Sequence, residues 1–200
     1  MDCYVAVAAS AKGSALKQYT LTAVTLLTLL GLTLIAACGG GGDGEETSSN
    51  TDQATPTIFG IGHPAPDFTL KDIHGEEVQL SSLKGKAVLV DFWATWCGPC
   101  RKVMPDLQAL SEKYSGKLEV LAVSLDQDPQ SAVPPFADKH GLTFTLLADS
   151  RGPQVAQQWG GIRSIPTSFL VAPDGKVVHR WVGGHARGEY EKEIVKALGM

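Results

Sequence analysis

Cys97 and Cys100 stand three residues apart in the run Trp96-Cys97-Gly98-Pro99-Cys100. On the first turn of a helix, two residues at that spacing face the same side. The first would lie where unpaired backbone N–H groups and the helix dipole stabilise a thiolate. A lowered pKa raises the nucleophilic fraction of that sulfur. The second sulfur, one turn deeper, could displace whatever the first captures and close a small disulfide. Pro99 costs little in a first turn, because its missing N–H has no helical partner there. These residues assign Cys97 as the attacking thiol and Cys100 as the resolving one. The competing chemistry is half of a zinc site, which would need a second pair of ligands. His63, His74, His140, His179 and His185 offer no such spacing, and the remaining cysteines, Cys3 and Cys38, precede the globular part.

Asp91 interrupts the apolar run 87–94, where an unpaired charge is costly. Burial would raise its pKa, and such an acid could take the proton of Cys100 as a mixed disulfide resolves. An Asp that turns to solvent or pairs with a base is the other reading. Ile165-Pro166-Thr167 precedes an apolar strand pattern, and a proline is tolerated at a strand start. A cis bond there would present the Ile165 backbone to an extended substrate segment. Trp93 reads as core and Trp96 as a surface residue beside Cys97. Trp96, Gly98, Pro99, Ile165 and Pro166 form the expected substrate-contacting set. His185 is assigned no role.

The elements that must hold these residues are read from pattern. Residues 67–70 and 78–80 alternate around a Gly75 turn, which predicts a hairpin, and 81–86 reads as a short turn. The run 87–94 predicts a buried parallel strand. A helix is expected over 97–114, where Leu107, Leu110 and Tyr114 keep helical spacing and Gly116 stops it. Further strands are expected over 118–125 and 144–147, with helices over 134–140 and 153–159. A hairpin over 167–172 and 177–182 turns at Pro173-Asp174-Gly175, and a helix over 187–198 ends the chain. Strands alternating with helices predict an α/β fold: a mixed sheet with helices on both faces.

Ahead of this lies a segment of different character. No charged residue occurs from Gln18 to Gly42, and Lys12 and Lys17 precede the apolar run 21–37. A basic region, an apolar region and a small-residue exit make a secretory signal over 1–37. A membrane-spanning helix is the alternative, since about 20 apolar residues suffice. Translation is expected to begin near Leu16. Residues 39–55 are Gly, Ser, Thr and acidic, which predicts a flexible tether. About 17 such residues have a root-mean-square reach of roughly 20–25 Å. The resulting division is signal 1–37, linker 38–57 and globular domain 58–200. Setting aside Lys12, Lys17 and Asp2 from totals of 17 basic and 21 acidic residues leaves 15 against 20. Without a basic stripe, nucleic acid is not an expected partner.

The run Val88-Leu89-Val90-Asp91-Phe92-Trp93-Ala94-Thr95-Trp96-Cys97-Gly98-Pro99-Cys100 resembles the active-site strand and loop of thioredoxins. Gly161-Ile162-Arg163-Ser164-Ile165-Pro166-Thr167 resembles their cis-proline loop. The resemblance implies a thioredoxin-like fold, a cis bond at Pro166, and Asp91 as the buried acid. Pro105 matches the proline inside the active-site helix. The stretch from Ala65-Pro66-Asp67-Phe68 to Leu83-Lys84-Gly85-Lys86 and the strand–helix insertion at 126–150 resemble the TlpA/ResA-like branch. That branch implies extracytoplasmic, membrane-tethered reductases of protein disulfides, often in cytochrome c maturation. Leu34-Ile35-Ala36-Ala37-Cys38 resembles a lipoprotein cleavage site, which implies acylation of Cys38 in a bacterial cell envelope. Three departures stand out: Ala122 where thioredoxins usually place a Lys, Val103 where ResA-like members carry a Glu, and an extra residue at Gly160-Gly161.

The function expected is protein dithiol–disulfide exchange without a cofactor or metal, by a monomer fed by a membrane electron donor. A peroxiredoxin-like peroxidase would share the N-terminal hairpin, but its single peroxidatic Cys pattern is not this loop. A copper carrier could use two soft thiolates, although carriers of this fold use wider spacing and a His.

Overall fold

The computed structural model describes residues 60–200 of the 200-residue chain. The signal, the Cys38 acylation site, the whole linker 38–57 and the first two residues of the domain predicted over 58–200 lie outside the described residues. The first elements are β1 (Thr69–Lys71) and β2 (Glu77–Gln79), paired antiparallel as the sequence predicts. A short 3₁₀ helix, Leu80–Leu83, comes next, where the pattern read a strand end and a turn. Then come β3 (Ala87–Trp93), α1 (Gly98–Lys113), β4 (Leu118–Ser124), α2 (Pro129–His140) and β5 (Thr145–Leu147). The chain ends with α3 (Gly152–Gln158), β6 (Thr167–Val171), β7 (Val177–Val182) and α4 (Arg187–Ala197).

Five strands form one sheet in the order β5-β4-β3-β6-β7. β3 is parallel to β4 and antiparallel to β6, which makes the sheet mixed. Its central place explains the unbroken apolar run: all seven β3 residues are buried, so both faces need apolar side chains. Leu89 and Trp93 join the core under α1, α2 and α4, with Met104, Leu107, Leu110, Val133, Tyr190 and Ile194. Val88, Val90 and Phe92 join the opposite core, with Phe68, Leu70, Val155 and Trp159. Asp91 alternates with Val90 and Phe92 and therefore faces the α1 side.

The N-terminal hairpin closes an edge. Ile73 N–H donates to Leu146 O at 3.1 Å and Ala148 N–H to Lys71 O at 3.0 Å, so β5 is not left bare. Asp149 ties the same corner together: its carboxylate accepts from Lys71 N at 3.1 Å and from the Arg151 guanidinium at 2.5 Å.

One helix differs from its expected start. α2 begins at Pro129, five residues before the predicted Pro134. Asp128 caps it, accepting from Ser131 N at 3.4 Å and Ser131 Oγ at 2.7 Å, and Pro129 takes the favoured first position. Pro134 and Pro135 sit inside the helix and remove N–H groups that would bond Gln130 and Ser131. Both of those residues are exposed, so water can take their carbonyls. Among the described residues no helix is long and apolar enough to cross a membrane.

Candidate active site

β3 delivers the chain to the top of the sheet, and Asp126 pins the loop beyond it. The Asp126 carboxylate accepts from Thr95 N at 3.0 Å, Thr95 Oγ1 at 2.7 Å and Ser124 Oγ at 2.8 Å. The loop that carries Trp96 and Cys97 is thus tied to the end of β4. Trp96 is 67 % exposed, while Trp93 is fully buried against Phe136 at a ring separation of 5.2 Å.

Cys97 is the N-cap of α1, just outside the helix rather than its first residue. Its Sγ accepts from Cys100 N–H at 3.2 Å. One of the orphan donors of a helix start therefore points at this sulfur. Gly98 and Pro99 fill the first two helical positions. Cys97 and Cys100 are joined by a disulfide, with Cα atoms 5.3 Å apart. Cys97 retains 5 % exposure and Cys100 none, so the second sulfur is shut off from solvent.

Two further loops complete the rim. The Ile165–Pro166 peptide bond is cis, and Ile165 O lies 3.7 Å from Cys97 Sγ. Gly183 N–H donates to Pro166 O at 2.8 Å. Gly184 sits so close to α1 that a Cβ there would lie 3.2 Å from Val103 Cγ1 and 3.9 Å from Pro99 O. The motifs 94–100 and 161–167, more than sixty residues apart, meet at the reactive sulfur.

Asp91 is fully buried beneath this rim. Ser168 Oγ donates to its Oδ1 at 2.6 Å, and Oδ2 has no partner among the described residues. Burial pushes its pKa up to about 7, against the lowering by the Ser168 hydroxyl. Asp91 pairs in register with Ala122 and with Ser168, so the row beside the acid holds no cation. Ser168 Oγ also lies 3.4 Å from Tyr190 OH, whose own pKa burial raises to about 12. Sequence reasoning missed Ser168, Tyr190 and Asp126. Ser168 carried a signal comparable to Asp91's: one hydroxyl in the otherwise apolar run 168–171. His185 reaches Glu189 at 2.9 Å and Val182 O at 3.2 Å, as a loop residue would. No group of three or more His, Cys, Asp or Glu among the described residues is placed to hold a metal ion.

Residues 61–180 match the model of the AhpC/TSA family. The chain belongs to the AhpC/TSA family. Within it, this thioredoxin-like member is similar to the thiol-disulfide oxidoreductase ResA of Bacillus thuringiensis (strain Al Hakam). Identity is 38 % over 137 residues, covering 68 % of this chain and 78 % of that one. It is equally similar, at 38 % over 135 residues, to the thioredoxin-like protein YneN of Bacillus subtilis (strain 168), covering 66 % and 78 %. A crystal structure described as a thiol:disulfide interchange protein DsbE from Chlorobium tepidum superposes with a TM-score of 0.65. It is 36 % identical and covers 70 % of this chain and 99 % of that one. The redox-active pair, the fold and these relatives agree: this AhpC/TSA-family chain is a ResA-like thiol–disulfide oxidoreductase.

Proposed function

We propose that the chain is an extracytoplasmic, lipid-anchored reductase of disulfides in other proteins. In the reduced enzyme, the Cys97 thiolate attacks one sulfur of the substrate disulfide. A mixed disulfide forms and the substrate's other sulfur leaves as a thiolate, protonated from solvent. Cys100 then gives its proton to Asp91, and its sulfur attacks Cys97 Sγ. The second substrate sulfur is released and the Cys97–Cys100 disulfide closes. Two electrons have passed to the substrate. A membrane dithiol donor reopens the disulfide by the same exchange in reverse order.

One observation carries this reading: a Cys97–Cys100 disulfide whose outer sulfur caps a helix and whose inner sulfur is fully buried. Trp96, Gly98, Pro99 and the backbone of Ile165 beside cis-Pro166 are the proposed substrate contacts. An extended segment laid across them would pair with the Ile165 backbone. The Gly-Pro spacer supports a reducing role, with a potential near roughly −270 mV rather than roughly −120 mV. The ResA-like resemblance further supports a place in cytochrome c maturation.

The test is a Cys100→Ser variant. It should stall the mixed disulfide and retain substrate proteins through Cys97, and the captured chains would report whether apocytochromes are among them. A peroxidase would instead keep consuming peroxide in that variant. Failure of the native enzyme to reduce insulin would overturn the proposal, and a titrated potential near roughly −120 mV would reverse its direction.

A further inference from the structure

The three segments that meet at Cys97, one running into α1 and one into α4, share a charge. Residues 94–102 contain Arg101 and Lys102, residues 160–166 contain Arg163, and residues 183–188 contain His185 and Arg187. None of these stretches contains an Asp or a Glu, in a chain whose formal net charge is −4. Ile165 O meets Cys97 Sγ and Gly183 N–H bonds Pro166 O, and Gly184 lies near enough to α1 that an added Cβ would crowd Val103, which brings the three segments together.

Arg101, Lys102 and Arg163 are exposed, and none has an ion pair among the described residues. Asp126 is buried on Thr95 and Ser124 and Glu189 is paired with His185, while Asp106, one turn beyond Lys102 on α1, makes no ion pair with these cations among the described residues. Arg101 comes directly after Cys100, and Arg163 stands two residues before Ile165. The unpaired cations therefore belong to two of the segments that meet at the reactive sulfur.

We propose that this rim is a docking surface for an extended protein segment carrying carboxylates beside its disulfide. The proposal rests on the reading of the chain as a protein-disulfide reductase and names the substrate class. Rim cations of this kind steer encounter and select partners by charge, more than they add affinity. A protein segment fits the surface better than an anionic lipid face does. Trp96 and Cys97 must stay open for exchange, and a membrane pressed on the same rim would cover them.

The test separates docking from chemistry. Three labelled peptides of one sequence are made with Asp/Glu, Asn/Gln or Lys/Arg flanking a central position. Each is made in a disulfide form and in a non-reactive form with Ser for Cys. Binding of the non-reactive forms to the full chain is measured at low salt and in 1 M salt. The acidic peptide should bind on the order of tenfold more tightly than the basic one at low salt. That ratio should approach one in 1 M salt, where the screening length is about 3 Å. The charge-reversed R101E/K102E/R163E variant should invert the preference. Equal binding of the three peptides would overturn the proposal. So would charge-dependent binding of the native chain to phosphatidylglycerol vesicles that the variant loses while peptide preference is unchanged. Reduction of the disulfide forms is scored separately: loss of all reduction with the binding preference intact would sink the reductase reading and leave the acidic-segment surface standing.

Discussion

Asp91 has a pKa of about 7 in the fold and an ordinary value of 3.8, so the folded state holds a proton that the unfolded state has released. Stability must then fall as pH rises between those values, and level off above 7. At about 1.4 kcal/mol per tenfold change in proton affinity, the full drop is on the order of 4 kcal/mol. Asp91→Asn should remove that slope, which urea melts from pH 4 to 8 would measure. The same substitution removes the proposed proton acceptor for Cys100. Release of a trapped substrate at pH 7 should slow by about 100-fold, near the usual worth of a positioned base. Ser168→Ala makes a different prediction. Its hydroxyl lowers the Asp91 pKa, so its loss should move the inflection of the rate–pH profile upward, with the plateau rate at high pH retained. A merely structural Ser168 would lower the plateau and leave the inflection in place. The acid itself was legible in the sequence, because a carboxylate in an apolar strand is conspicuous. Its partner was not, because the register that sets Ser168 opposite Asp91 joins residues 77 apart.

Elements were legible to the degree that burial is two-sided or their ends are chemically marked. β3 announced itself because a central strand needs apolar residues on both faces, and α1 because a capping Cys and an early proline precede a regular apolar stripe. The start of α2 was hidden: Pro134-Pro135 reads as a boundary, whereas the true signal is Asp128-Pro129. β5 and the hairpin are three residues long per strand, too short for periodicity to fix their limits. The contact of α3 with the sheet was also invisible, and it yields a prediction. A Cβ on Gly152 would lie 2.3 Å from Ser124 O, a backbone atom that cannot swing aside. Gly152→Ala should therefore cost about 2–3 kcal/mol, in the range for overpacking, read as a lower denaturation midpoint. Ser124 also holds Asp126, which holds Thr95. The displacement should reach the Cys97 loop and slow disulfide reduction, an effect that a purely local defect in α3 would not produce.

At the scale of the whole molecule, the described residues carry the entire dithiol site, and the proposed membrane attachment has to come from elsewhere in the chain. The proposed anchor falls on residues outside those described, and only the sequence speaks for it. A basic and then apolar leader that ends in small residues at Cys38 suits cleavage and acylation. The polar stretch behind it suits a tether of roughly 20–25 Å reach. One acyl chain gives only marginal, reversible membrane binding, with a constant of about 10⁴ M⁻¹, and two or more hold firmly. Cys38→Ser therefore separates the two readings of the leader. If the anchor is lipid on Cys38, the variant should leave the membrane fraction or remain as an unprocessed precursor, and should lose the added acyl mass. If the apolar run spans the bilayer, the variant should fractionate with membranes at unchanged mass. In either case the dithiol lies well beyond position 38 in the chain, and nothing in its geometry calls on the anchor. Reduction of a small soluble disulfide should therefore be equal for the anchored chain and for residues 58–200 alone. Reduction of a membrane-held substrate should fall for the untethered domain, because the tether's contribution is local concentration.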